Sequence, residues 1–184
     1  MGFLLYEVQM KKNAIYFGNK DIYQKIRNAG GVWNDSKDRP IVCLLESTET
    51  IGLYWAIPVG NWEHRDQTAK NRIEKYVSYP KSDLRSCYYH VGKTNEKSIF
   101  FISDVIPIAK KYIDREYKGF DKKLYVIKNK KLIQSLEEKL TRILAFEATN
   151  NNYFRQRITD VKHVLIEELE LENTFGKVAP IKEE

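Results

Sequence analysis

The 184-residue chain has only two cysteines, Cys43 inside an apolar run and Cys87 ahead of a tyrosine pair, and no CxxC. That excludes a disulfide framework and a cysteine-based zinc site, and it suits a reducing compartment. No apolar run approaches membrane-spanning length. The opening Met1-Gly2-Phe3-Leu4-Leu5 is broken by Glu7 and then Lys11-Lys12, which is too short and wrongly flanked for a signal peptide. The expectation is a cytoplasmic protein with no membrane partner. GxxxxGK[ST], GxGxxG and HExxH are all missing, so nucleotide hydrolysis, dinucleotide redox chemistry and zinc proteolysis have no support. No Asp and Glu cluster falls at matching points on the strands, which argues against a metal nuclease; neither a metal nor a cofactor is expected. Internal repeats and low-complexity tracts are also missing.

What is present is a foldable balance of 42% apolar and 30% charged residues. Lys and Arg outnumber Asp and Glu by 31 to 25, and there are 12 Tyr and 3 Trp. Positive charge beside many stacking side chains favours RNA or single-stranded DNA as a partner. A soluble protein that happens to be basic fits the same composition. The length suits one domain over residues 1–184: a sheet core with helices (1–127), a C-terminal helical pair (128–174) and a loose tail (175–184).

Residues 3–8 and 14–17 read as a hairpin. Asn19 caps a helix over residues 20–29, with Ile22, Tyr23 and Ile26 at helical spacing and Gly30-Gly31 as the stop. Residues 41–45 and 51–59 look like paired central strands, the second ended by Pro58. Residues 66–77 suggest a helix or an ordered surface excursion carrying Lys70, Arg72 and Lys75. Residues 86–91 and 98–103 are short strands divided by a Gly- and Asn-rich turn. A short helical piece follows at 109–112 and a last strand at 122–127. Two apolar stripes come next, one through Leu132, Leu136, Leu140 and Ile143, the other through Phe154, Ile158, Val161 and Leu165. They predict two amphipathic helices packed on their own domain, joined at Asn150-Asn151-Asn152.

The run Arg39-Pro40-Ile41-Val42-Cys43-Leu44-Leu45-Glu46 is followed by Leu53-Tyr54-Trp55-Ala56-Ile57-Pro58-Val59 and then by Ile99-Phe100-Phe101-Ile102-Ser103-Asp104-Val105-Ile106-Pro107-Ile108. Together these resemble the core of the toxins of type III toxin-antitoxin systems, the ToxN, AbiQ, TenpN and CptN groups. The opening Gly2-Phe3-Leu4-Leu5-Tyr6-Glu7-Val8 brings CptN nearest. The resemblance covers roughly residues 3–112, and the two C-terminal helices fit the family's layout. It implies an α+β fold: a compact, strongly bent antiparallel sheet or partial barrel like that of Kid and MazF, with added helices. It also implies a metal-independent endoribonuclease that leaves a 2',3'-cyclic phosphate on cellular or phage RNA. The implied partner is a small structured antitoxin RNA that the toxin processes and binds, in rings or dimers of protein-RNA units.

Metal-free RNA cleavage must orient the 2'-hydroxyl, remove its proton, stabilise charge on the phosphate and protonate the leaving 5'-oxygen. The family sets Ser or Thr and then Lys just after the Pro-terminated strand. This chain reads Val59-Gly60-Asn61-Trp62-Glu63-His64-Arg65 there, so Gly60 and Asn61 stand where hydroxyls are expected. An Asn amide can also donate to phosphate oxygens. The catalytic candidates are therefore Asn61, His64 as proton carrier, Arg65 as phosphate grip, and Lys70; a solvated loop and an ordinary charged surface are the competing readings. Alternation along a strand would set Tyr88 and His90 on one face. They join Lys93 and Trp62 as RNA-binding candidates, against a half-buried strand for the first two and a core anchor for the tryptophan. Trp33 has the same two readings as Trp62. By resemblance, Tyr23 and Lys25 on the first helix are further RNA-binding candidates. The rival classes are a non-catalytic RNA- or DNA-binding protein and a protein-interaction module built on the C-terminal helices.

Overall fold

The computed structural model describes residues 10–176. Among them are seven strands, β1 (Ala14–Gly18), β2 (Pro40–Glu46), β3 (Leu53–Asn61), β4 (Tyr89–Lys93), β5 (Lys97–Phe101), β6 (Ile106–Ala109) and β7 (Ile113–Glu116). Four helices accompany them, α1 (Lys20–Asn28), α2 (Gln67–Val77), α3 (Lys130–Thr149) and α4 (Ile158–Phe175). The fold is α+β, and every ladder is antiparallel. The strand order is β4-β5-β3-β2-β1-β7, with β6 paired to the first half of β3.

The unbroken apolar run of β2 follows from burial on both faces, since successive side chains point to opposite sides of a sheet. Val42 and Leu44 pack with Leu132, Leu136, Leu140 and Ile143 of α3. Ile41 and Cys43 join Ile22, Tyr23 and Ile26 of α1 and Val161 and Leu165 of α4. The sheet is therefore covered by α3 on one side and by α1 and α4 on the other. Burying each such aliphatic side chain contributes about 1.5–3 kcal/mol, enough to hold the amphipathic helices on the sheet.

The two C-terminal helices thus pack on their own domain, but on opposite faces of it. The chain passes between faces over residues 150–157, where buried Gln156 donates from Nε2 to the carbonyls of Ser103 and Val105, both at 2.8 Å. Glu147 fastens the same crossing, accepting from the Asn152 N–H at 2.5 Å and the Thr159 hydroxyl at 2.8 Å. Farther along α4, the Glu168 carboxylate accepts from the Tyr112 hydroxyl at 2.6 Å and pairs with Lys25 of α1 and with Lys111 at 3.1 Å. Asn19 caps α1 as expected, accepting from the N–H groups of Asp21 and Ile22.

Several elements differ from the sequence reading. Residues 3–8 lie outside the described residues, as does the tail beyond residue 176. Strand β3 is not ended by Pro58 but runs on to Asn61. Residues 86–88 are not strand: the Asp83 carboxylate caps a 3-10 turn over Leu84–Cys87, so pairing begins at Tyr89. Residues 122–127 make isolated bridges only, Ala14 to Val126 and Lys118 to Leu124, because β7 takes the outer edge of β1 from Tyr16 onward. The sheet is not a partial barrel: it is open, ending on β4 and β7 with no ladder between them. Among the described residues no helix is long and apolar enough to cross a membrane.

Two outcomes follow from these contacts. Gln156→Ala removes a buried hydrogen bond to Val105 and a half-buried one to Ser103 and lowers stability by about 1–3 kcal/mol in urea unfolding, whereas Leu171→Ala on the exposed side of α4 changes it by less than about 0.5 kcal/mol. Burial pushes the Glu168 carboxyl up, but the hydrogen bonds from Lys25, Tyr112 and Lys111 outweigh it and hold the group below its ordinary range. Because the folded value lies under the unfolded one, its contribution is present at neutral pH and is lost as pH falls through the folded value. Glu168→Gln is therefore expected to flatten the acid limb of stability against pH; an unchanged limb refutes the assignment.

Candidate functional site

The end of β3 is held by β5, with Val59 against Phe100, Gly60 against Ile99 and Asn61 against Ser98. The chain then turns through residues 62–66. Asn61 shapes this turn, its Oδ1 accepting from the Glu63 N–H at 2.7 Å and its Nδ2 donating to Glu96 Oε2 at 2.6 Å. Asp66 caps α2 through the Ala69 N–H at 2.7 Å. Facing this turn is the segment between α1 and β2, anchored by the Val32 N–H on the Arg155 carbonyl and by Trp33 stacked on Tyr23 at 5.3 Å.

Between these walls lies a cleft of about 550 Å³. Asn61, His64 and Arg65 line it from the β3 side, Ser36, Lys37 and Arg39 from the other, and Thr94, Glu96 and Ser98 from the β4–β5 turn. Two guanidinium groups meet there over one ring: Arg39 stands 5.5 Å and Arg65 5.6 Å from the centroid of Phe101. Loss of water around Arg65, reinforced by the positive charge of Arg39, draws its pKa below the ordinary arginine value. Among the described residues the arginines engaged in ion pairs are Arg27, Arg85, Arg115, Arg155 and Arg157; Arg39 and Arg65 have none, and neither do Arg72 and Arg142 outside the cleft. The cleft's carboxylates are already engaged, Asp38 with Arg115 at 3.1 Å and Glu96 with Asn61. Two adjacent cations, partly dehydrated and without an ion pair, though Asp66 acts on Arg65 from nearby, have the chemistry to hold an anion with several oxygens. The hydroxyls of Thr94 in the β4–β5 turn and Ser98 on β5, 2.8 Å apart, also line the cleft, with Ser98 donating to the Glu96 carbonyl at 3.2 Å.

Of the residues singled out from sequence, Asn61, His64 and Arg65 come together here, and exposed Lys93 adjoins Thr94 on the rim. Lys70 sits one turn into α2, 3.6 Å from Glu63 and over the Trp62 ring, outside the cleft lining. Trp62 is 5% exposed, wedged under Lys70 and Lys97, with no free face for a base. Tyr23 is buried behind the α1–β2 segment; burial first, then Asp38 and Asp35, push its hydroxyl up to about 12. Lys25 is turned away, onto Glu168. Tyr88 precedes β4 and stacks on Tyr76 at 5.5 Å, so it does not share a strand face with His90. Arg39, Thr94 and Ser98 were not singled out as site residues. The register of β2 on β3 gives a signal for the first: with Ile41 opposite Pro58, two further steps bring Arg39 level with Gly60.

Compared with known proteins, the chain matches no family model and no curated relative. Among the described residues no group of three or more His, Cys, Asp or Glu is gathered as metal ligands are.

Burial, and after it the Lys139 charge, lower the His90 imidazole to about 4. It is therefore neutral at physiological pH. The expected result in an NMR titration is a His90 inflection near pH 4 that moves upward in Lys139→Met; an inflection near 6.5 in the wild-type chain contradicts this.

Proposed function

We propose that the protein is a metal-independent endoribonuclease of the type III toxin kind, working in the cleft between the α1–β2 segment and the end of β3. The observation that carries this reading is the unpaired Arg39 and Arg65 pair over Phe101, beside His64, Asn61 and the hydroxyls of Thr94 and Ser98. In the proposed reaction the guanidinium groups hold the non-bridging oxygens of the scissile phosphate and stabilise the charge that builds there. The neighbouring 2'-oxygen bonds to phosphorus as its proton passes to a cleft base, His64 or Glu96. The bond to the 5'-oxygen breaks as that oxygen takes up a proton from water in the cleft, leaving a 2',3'-cyclic phosphate and a 5'-hydroxyl. No metal or cofactor enters these steps.

The same reading carries the finer expectations of the resemblance. The protein would act in the cytoplasm on cellular or phage RNA, held in check by a small structured antitoxin RNA that it processes, in ring or dimer assemblies. A second reading, a non-catalytic RNA- or DNA-binding protein, is favoured by one observation: Gly60 and Asn61 replace the hydroxyl residues, and Asn61 is occupied by Glu96 and the Glu63 N–H.

Induction of the chain from a tightly repressed promoter tests the two. Growth arrest with RNA fragments ending in cyclic phosphate is expected, with cleavage lowered about 10²-fold or more in a His64→Ala, Arg65→Ala double variant. Normal growth over intact RNA sinks the enzyme reading in favour of the binding protein.

A further inference from the structure

The Phe101 ring that carries both guanidinium groups is also the first of a connected series of aromatic rings. Tyr89 lies 6.0 Å from it, Tyr76 5.7 Å from Tyr89, and Tyr88 5.5 Å from Tyr76. Phe154 continues the series 5.9 Å from Tyr88, and Tyr153 5.2 Å from Phe154. Tyr79 branches off at 5.7 Å from Tyr76, under the Arg85 guanidinium at 4.1 Å. The inner members are core, but the series comes to the surface: Tyr76, Tyr79, Tyr88 and Tyr89 are half-buried, and Tyr153 ends it 59% exposed.

Basic side chains flank these rings. Arg72 stands one helical turn before Tyr76 on α2. Burial raises the Tyr89 hydroxyl's pKa, and Arg72 and Arg155 pull against it from close by. Arg142 on α3 faces Asp83 and Lys139. The local carboxylates are already paired, Asp83 with Arg85 and Asp104 with Arg155. Arg72 and Arg142 have no ion-pair partner among the described residues. Aromatic rings interleaved with unpaired arginines, and continuous with a phosphate-sized cation site, match the chemistry of unpaired nucleotides, whose bases stack and whose backbone needs charge.

We infer that the surface from Tyr89 through Tyr76 and Tyr79 to Tyr153, edged by Arg72 and Arg142, is an extended subsite that binds about four unpaired nucleotides running out of the cleft. The inference rests on the cleft's binding RNA, and it adds that the bound segment is single-stranded on this side. Selection of the strand is then by length and accessibility of its bases, since stacking tolerates any base.

Fluorescence polarisation with labelled oligoribonucleotides of two and eight residues tests it, alongside inorganic polyphosphate of matched length. The wild-type chain is expected to bind the octamer more tightly than the dimer. A Tyr79→Ala, Tyr153→Ala variant is expected to lose at least about fivefold in octamer affinity, with dimer and polyphosphate binding unchanged. An Arg72→Gln, Arg142→Gln variant is expected to weaken octamer and polyphosphate together and to lower the salt dependence. Far-ultraviolet circular dichroism and melting temperature establish that each variant is folded; both pairs are at the surface end of the series, and should one aromatic variant unfold, Tyr153→Ala alone repeats the arm. A length gain that survives in folded variants overturns the subsite while leaving RNA binding in the cleft intact. An equal loss for polyphosphate in the tyrosine variant overturns the stacking role. Failure of the wild-type chain to bind any oligoribonucleotide removes the RNA reading and this subsite with it.

Discussion

Pro58 has no amide proton to give, and β3 changes neighbours at the stretch where none is required. Its inner edge pairs with β2 from Tyr54 to Pro58, while its outer edge is matched by β6 from Leu53 to Ala56 and by β5 from Val59 to Asn61. Ile57 and Pro58 fall in the gap, so the missing donor leaves no partner stranded. The rest of the molecule depends on this changeover. The first half of β3 belongs to the sheet that α1, α3 and α4 cover; the second half, carried past the proline, brings Gly60 and Asn61 to β5 and leads into the turn with His64 and Arg65. Gly60 keeps its ring of neighbours by having no side chain: a Cβ there would stand 3.1 Å from the Phe101 ring and 3.2 Å from the Arg65 guanidinium.

The cleft's character then follows from charge brought together by pairing. The β2–β3 register sets the start of β2 beside the end of β3, and so Arg39 beside Arg65, over a ring supplied by β5. Burial first, and then the like charge of Arg39, disfavour the charged form of Arg65 and lower its pKa; an anionic oxygen cluster between the two guanidinium groups would offset both. The phosphodiester reading has this physical basis, independent of any family resemblance. Five other arginines are answered by carboxylates within the chain, as Arg155 is by Asp104 and Arg85 by Asp83, while Arg72 and Arg142 beside the aromatic series are not.

Much of the architecture was legible in local pattern. The both-faces-buried run of β2, the Asn19 cap and the two C-terminal stripes each gave a signal that depends on residues close in sequence. What was not legible depended on partners far along the chain. Residues 122–127 carry strand-forming residues but find the edge of β1 already taken by β7. Residues 86–88 yield to a cap from Asp83, and Trp62, polar by its neighbours in sequence, is covered by Ile73, Ile99 and Phe101. The site divides in the same way. His64 and Arg65 were found from their position after β3, whereas Arg39, Thr94 and Ser98 reach the cleft only through strand register, and Lys25 was lost to Glu168, 143 positions away in sequence.

The most direct test of the central claim, that this cleft holds and cleaves an RNA phosphodiester without a metal, is end-group analysis of RNA incubated with the purified chain in excess EDTA. The account predicts fragments with 2',3'-cyclic phosphate and 5'-hydroxyl ends, formed by the wild-type chain and diminished about 10²-fold or more when Arg39 and Arg65 are both changed to Gln. RNA left intact, cleavage that appears only when a divalent metal is restored, or fragments formed equally well by the folded double variant would contradict it.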